Sequence, residues 1–117
     1  MATYSKEQLS GSTNGRGIKV VATATAGTTI HTATNTAGEL DEVWLYAYNS
    51  HSGDVVLTIE FGGATDPDDH IVVTVPADDG LTLVVPGLPV NGGVVVRAFA
   101  ATTNVVTIHG YVNNIAA

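Results

Sequence analysis

The side chains that could do chemistry are few. Serine occurs only at positions 5, 10, 12, 50 and 52; the histidines are His31, His51, His70 and His109, and cysteine is absent. Without a thiol there is no disulfide framework, thiolate nucleophile or zinc-thiolate site. "SHS" at 50–52 sets His51 between two hydroxyls, but a nucleophile and its base must converge from separate elements, so the stretch reads as a turn. No GxSxG elbow is present. "GSTNGRGIK" (11–19) is glycine-rich yet lacks the GxxxxGK[ST] spacing, and it runs into a strand where a phosphate loop needs a helix N-terminus. The histidines show neither His-x-His nor HExxH spacing and read as solvent-facing or singly hydrogen-bonded. "TDPDDH" (65–70) offers hard oxygens at Asp66, Asp68 and Asp69 without the EF-hand spacing, and reads as an acidic turn opening a strand. Glu39, Asp41 and Glu42, like Asp78 and Asp79, read as turn carboxylates with no cleft to tune them for acid–base work. The expectation is a chain with no catalytic residue, no cofactor and no metal.

One stretch stands out for another reason. In "EVWLYAYN" (42–49), Trp44, Tyr46 and Tyr48 share one parity while Val43, Leu45 and Ala47 share the other. Successive strand residues point to opposite faces, so this strand carries an aromatic face and an aliphatic face. The aromatic parity holds three of the seven Phe, Trp and Tyr residues, a concentration that calls for an explanation. Aromatic rows bury much area at low entropic cost, which suits a partner interface; they also suit stacking on sugar rings, or an inter-sheet core. All three readings stay open on the sequence.

The elements that must position these residues are nearly all β. Strand candidates are residues 17–24, 28–34, 41–49, 54–62, 70–76, 81–86, 94–100 and 105–113, each rich in Val, Ile, Thr or aromatics and bounded by Gly, Asn, Asp or Pro. Regular turn signals without helical periodicity predict a single-domain β-sandwich over residues 17–117. Eight strands favour a jelly-roll-like arrangement over an immunoglobulin-like one, whose Cys…Trp…Cys spacing is missing. Residues 1–16 carry little apolar surface and read as a short extended N-terminal arm; at most, Ser5 and Gln8 could cap one helical turn.

Charge divides along the same boundary. Lys6, Arg16 and Lys19 oppose only Glu7 near the start, whereas Arg97 alone opposes ten acids after residue 20, for a net charge of −7. An acidic body argues against nucleic acid, which demands clustered Lys and Arg. No apolar run is long enough to span a membrane, and the start does not resemble a secretory signal, so synthesis in the cytoplasm is expected. Several strands, "IVVTV", "LTLVV" and "VVVRAFA" among them, lack polar alternation, which predicts a homo-oligomer or docking on a larger surface. A trimer is favoured, with a dimer second. Arg97, the lone cation of the body, is expected to bond an acid or carbonyl of a neighbouring strand or subunit. The arm is expected to contact a neighbour through Tyr4 and Leu9, with Lys6 and Arg16 as its charges.

"STNGRGIKV", "ELDEVWLYAYN", "LTIEFGG", "LVVPGL", "VVVRAFA" and "VTIHGYVN" together resemble small all-β structural proteins of tailed bacteriophages, a group assigned as head decoration or capsid cement proteins. The resemblance spans residues 12–114 and implies a sandwich or tulip-like body on the outer capsid surface of the virion, bound to the major capsid protein as a dimer or trimer. Its motifs are structural and carry no catalytic signature. A carbohydrate- or receptor-binding virion module, and a tail or neck component, are the alternatives. Trp44, Tyr46, Tyr48 and Arg97 join Tyr4, Lys6, Leu9 and Arg16 as the expected partner-binding set.

Overall fold

The computed structural model describes residues 3–116. Nine strands are present among them: β1 (Thr3–Gln8), β2 (Ile18–Lys19), β3 (Thr28–Thr32), β4 (Glu39–Asn49), β5 (Val55–Phe61), β6 (His70–Val75), β7 (Thr82–Val90), β8 (Val95–Ala100) and β9 (Val106–Ala116). No helix occurs among the described residues. The strands form two antiparallel sheets. One runs β1-β9-β4-β7, with β2 continuing the β1 edge along β9; the other runs β3-β8-β5-β6.

The alternation that marks each strand in the sequence is what packs the sheets together. Val43, Leu45 and Ala47 of β4 face inward with Val106, Ile108 and Val112 of β9. From the other sheet come Val55, Leu57 and Ile59 of β5 and Val96, Ala98 and Ala100 of β8. Each fully buried Val, Leu or Ile side chain of this kind contributes about 1.5–3 kcal/mol, so the shared core dominates stability.

Three differences from the sequence expectation have physical causes. Thr3–Gln8 is an edge strand paired with residues 111–116 of β9, so neither an arm free of the body nor a helical turn forms there. The cause is a cross-chain one: β9 extends to Ala116 and leaves ladder groups for β1 to satisfy. The strand expected over 17–24 narrows to Ile18–Lys19, because beyond Val20 the chain departs to pack residues 22–27 against β5 and β8. Strand β7 continues through Pro86 and Pro89 to Val90, which an edge strand permits because its outward N–H groups are dispensable.

Candidate functional site

The outer face of the five-stranded sheet gathers the aromatic residues. In β4, Trp44, Tyr46 and Tyr48 are half-buried and alternate with the fully buried Val43, Leu45 and Ala47. The aromatic parity is therefore the outer surface, and the inter-sheet core reading is overturned. Antiparallel register sets Tyr111 beside Trp44, His109 beside Tyr46 and Thr107 beside Tyr48. The Trp44 and Tyr111 rings stack with centroids 6.4 Å apart and planes 15° from parallel. Lys6 of β1 places its Nζ 4.7 Å from the centre of the Tyr111 ring, a cation–π contact.

Polar bonds orient Trp44 and Tyr48 on this face. Trp44 Nε1–H donates to Glu42 Oε1 (2.8 Å), which also accepts from Asn113 Nδ2 (3.1 Å). These donors, Trp44 first, hold the Glu42 carboxyl below its usual range, so it stays charged. Tyr48 OH donates to Asp78 Oδ1 (2.9 Å), and that bond together with the Asp78 charge pushes the phenol up and keeps it protonated. Two glycines make room for the tryptophan. A Cβ at Gly87 would lie 2.7 Å from Trp44 Cζ2, on backbone at φ +75° that disfavours any other residue. A Cβ at Gly110 would collide with the Trp44 carbonyl oxygen.

The residues expected to bind a partner divide among four places. Lys6, Trp44, Tyr46 and Tyr48 come together on this face, and Tyr4, 68% exposed, lies at its β1 edge. Leu9 is instead buried in the protein's own core. Arg16 is exposed in the loop before β2, where it lines a shallow polar cleft with Thr13 and Lys19. Arg97 lies on the outer face of the other sheet, across from Glu60 and Thr29. Glu60 is only 1% exposed, but its carboxylate accepts from Thr25 Oγ1 (2.8 Å) and from Gly27 N–H (2.6 Å). No bond from the Arg97 side chain to an acid or carbonyl is present among the described residues. Tyr111 and His109 complete the aromatic face and are not in the expected set. Their shared parity in "TIHGYVN" is the signal that could have found them, once β9 is known to pair with β4.

A second cluster has the composition of a catalytic site. His31 (4% exposed) and Asp41 (3% exposed) bridge the two sheets, Nε2 to Oδ2 at 2.8 Å. Neither solvent-facing histidine nor turn carboxylate describes them, since Asp41 lies inside β4 and points inward. Asp41 also accepts from Thr34 N–H (2.9 Å) and Asn114 Nδ2 (3.0 Å). Burial pushes its carboxyl up, but the bonds from His31, Asn114 and Thr34 outweigh that and hold it below the usual carboxylate range. Ser10 lies alongside, but its geometry is wrong for a triad. The backbone N–H of Ser10 donates to His31 Nδ1 (3.0 Å), so the imidazole lone pair is occupied and Nε2–H is the donor to Asp41. Ser10 Oγ in turn accepts from Thr32 N–H (2.7 Å). A base without a free lone pair cannot take a hydroxyl proton. The cluster is a clasp joining both sheets and the leader, the segment that precedes β2, and it lines a polar cleft of about 430 Å³.

The described residues thus define an all-β, two-sheet protein with an open aromatic face and a closed polar clasp. Comparison with protein-family models, with curated proteins and with solved structures finds no match.

Proposed function

We propose that this chain is a structural attachment protein, the capsid decoration or cement protein of a tailed bacteriophage, which binds the major capsid protein on the outer head surface. The observation that carries the reading is the aromatic face. Trp44, Tyr46, Tyr48 and Tyr111 are half-exposed, and three of them are held in place, Trp44 by Glu42, Tyr48 by Asp78 and Tyr111 by Trp44 and Lys6, so docking there costs little further ordering. Large aromatic side chains fixed at a surface are the residues that anchor interfaces. Lys6 and Lys19 add positive charge at one side of an otherwise acidic body, which orients it toward an acidic partner. On a head with many equivalent sites, weak individual contacts sum when several copies are joined.

The strand order also supports it, by analogy of fold. With β1 and β2 counted as one interrupted strand, each sheet has four positions, and successive strands cross between sheets except at β5–β6. We infer a jelly roll from that order, an architecture that recurs in viral capsid proteins and in lectins. The lectin side of the analogy keeps a second reading alive: the Trp44–Tyr111 pair, with Glu42 and Asn113 beside it, would stack on and hydrogen-bond a sugar ring.

Adding the purified chain to undecorated heads of the phage that encodes it tests the first reading. Saturable binding, visible as added density on the outer head and lost on Trp44→Ala, is the expected result. No head binding, with density on the tail or neck, overturns it in favour of a tail component. Trp44-dependent binding on a glycan array, without head binding, overturns it in favour of the sugar reading.

A further inference from the structure

A two-sheet protein has four long edges, and each exposes backbone donors and acceptors to any other strand. Three are protected here. The β7 edge carries Pro86, Pro89 and two breaks in register. The β3 edge is capped by the leader, with Gly11 N–H donating to the Ile30 carbonyl (2.9 Å) and Thr32 N–H donating to Ser10 Oγ (2.7 Å). The β1 edge is polar throughout save Tyr4 and has Lys6 at its middle. Edge lysines and prolines are the usual means of discouraging strand addition.

The β6 edge has none of these. Its sequence is HIVVTV, with no charge other than what His70 can take up and no proline before Pro76. Bonds at both ends of β5 establish which way its backbone faces. Ala101 N–H donates to the Val56 carbonyl and Gly62 N–H to the Val95 carbonyl, so the even residues of β5 face β8. Phe61 N–H donates to the Asp69 carbonyl, so the odd residues face β6 and bond Ile71, Val73 and Val75. His70, Val72 and Thr74 therefore turn their backbone groups outward. The His70 N–H is taken by the Pro67 carbonyl (3.1 Å), but no hydrogen bond among the described residues reaches the backbone of Val72 or Thr74. Val72 is also 62% exposed, at the centre of the strand.

We propose that β6 pairs antiparallel with β6 of a second copy, across a two-fold axis at Val72. The outward groups are symmetric about that residue, which is the condition for self-pairing. Val72 exchanges both backbone bonds with Val72 of the second copy, and each Thr74 N–H meets the opposite His70 carbonyl. The two valine side chains meet on the outer surface, and Ile71 lies opposite Val73 beneath. The two four-stranded sheets become one continuous sheet, while both aromatic faces stay open for docking. The pairing gives a dimer rather than the three-fold ring favoured on the sequence, and it stands whether or not the chain binds a capsid. Asp66, Asp68 and Asp69 precede β6, and Asp78 and Asp79 follow it. Antiparallel pairing brings these like charges toward each other, so added salt strengthens the dimer several-fold instead of weakening it.

Sedimentation of the full chain up to about 100 µM, where a micromolar interface is mostly formed, tests the proposal. A dimer is expected, tightened by salt. Val72→Lys, which adds a charge on each side of the axis, and Val72→Pro, which removes only an N–H unused within the monomer, should each weaken it at least about tenfold. Because the chain has no cysteine, Val72→Cys gives a single thiol that should form a symmetric disulfide at least tenfold faster than Tyr4→Cys at the β1 edge. A monomer throughout this range overturns the proposal. So does a trimer, or a dimer that both Val72 variants leave intact while Val72→Cys cross-links no faster than Tyr4→Cys. Should Val72→Pro fail to fold, the lysine and cysteine variants decide alone.

Discussion

The clasp at His31 and Asp41 and the aromatic face around Trp44 invert what their compositions suggest. The clasp holds a serine, a histidine and an aspartate within reach of one another, yet the histidine's lone pair and the aspartate's acceptors are taken up by structural bonds. The aromatic face holds no such combination, yet Trp44 and Tyr48 are bonded to neighbours and still half-open to solvent. Reactive residue types make a reactive site only when a lone pair or proton is left over for a substrate. Unreactive aromatics make a binding surface when their area is left uncovered and their rotamers are already ordered.

Substitutions should separate the two regions, the clasp through stability and the face through docking. The largest effect is expected at the clasp. Asp41→Ala leaves His31 Nε2–H, Thr34 N–H and the Asn114 amide without their acceptor, at a cost of about 3 kcal/mol read by urea unfolding. On the proposed function, attachment by the folded fraction should be unchanged. The pH dependence of the same site has a definite sign. Asp41 titrates lower when folded than its unfolded value of about 3.9, so its stabilisation is complete above that value and is lost as pH falls through the lowered one. The stability gap between the wild type and Asp41→Asn should accordingly narrow below about pH 4.

Gly87→Ala comes next, with an expected loss of about 2 kcal/mol from the positive φ and the contact with the Trp44 ring. Trp44 fluorescence should report the displacement, and attachment should weaken with it, which would tie ring position to docking. Trp44→Ala is expected to cost only about 1 kcal/mol of stability, since the ring is half-exposed, while reducing attachment at least about tenfold. Equal losses in both measurements would blur the contrast between the regions. Tyr48→Phe should be the mildest, within about 0.5 kcal/mol. Its signature is spectroscopic: the phenol that Asp78 raises disappears from an ultraviolet pH titration.

Much of the strand layout was legible because strand alternation is a local property. Val43, Leu45 and Ala47 against Trp44, Tyr46 and Tyr48 can be read from one segment, and the register in the structure preserves that division. Which of the two faces is the core was not legible, since both are apolar and period alone assigns no direction. The leader was harder still. Nothing within "TYSKEQ" marks it as a strand; it is one because the far end of the chain, Tyr111–Ala116, presents a ladder for it.

The amino-acid sequence by itself determined the all-β class, the positions of most strands and the separation of a basic start from an acidic body. Each depends on neighbours along the chain: side-chain period, turn residues and charge. Tertiary structure alone decided that Leu9 belongs to the core, that His31 meets Asp41 across the sheets, and that Tyr111 extends the Trp44 row. It also decided that β6 is the edge left bare. Those outcomes require residues far apart in sequence to share a ladder or a face, and pairing is fixed only when the two sheets bury their apolar sides against each other.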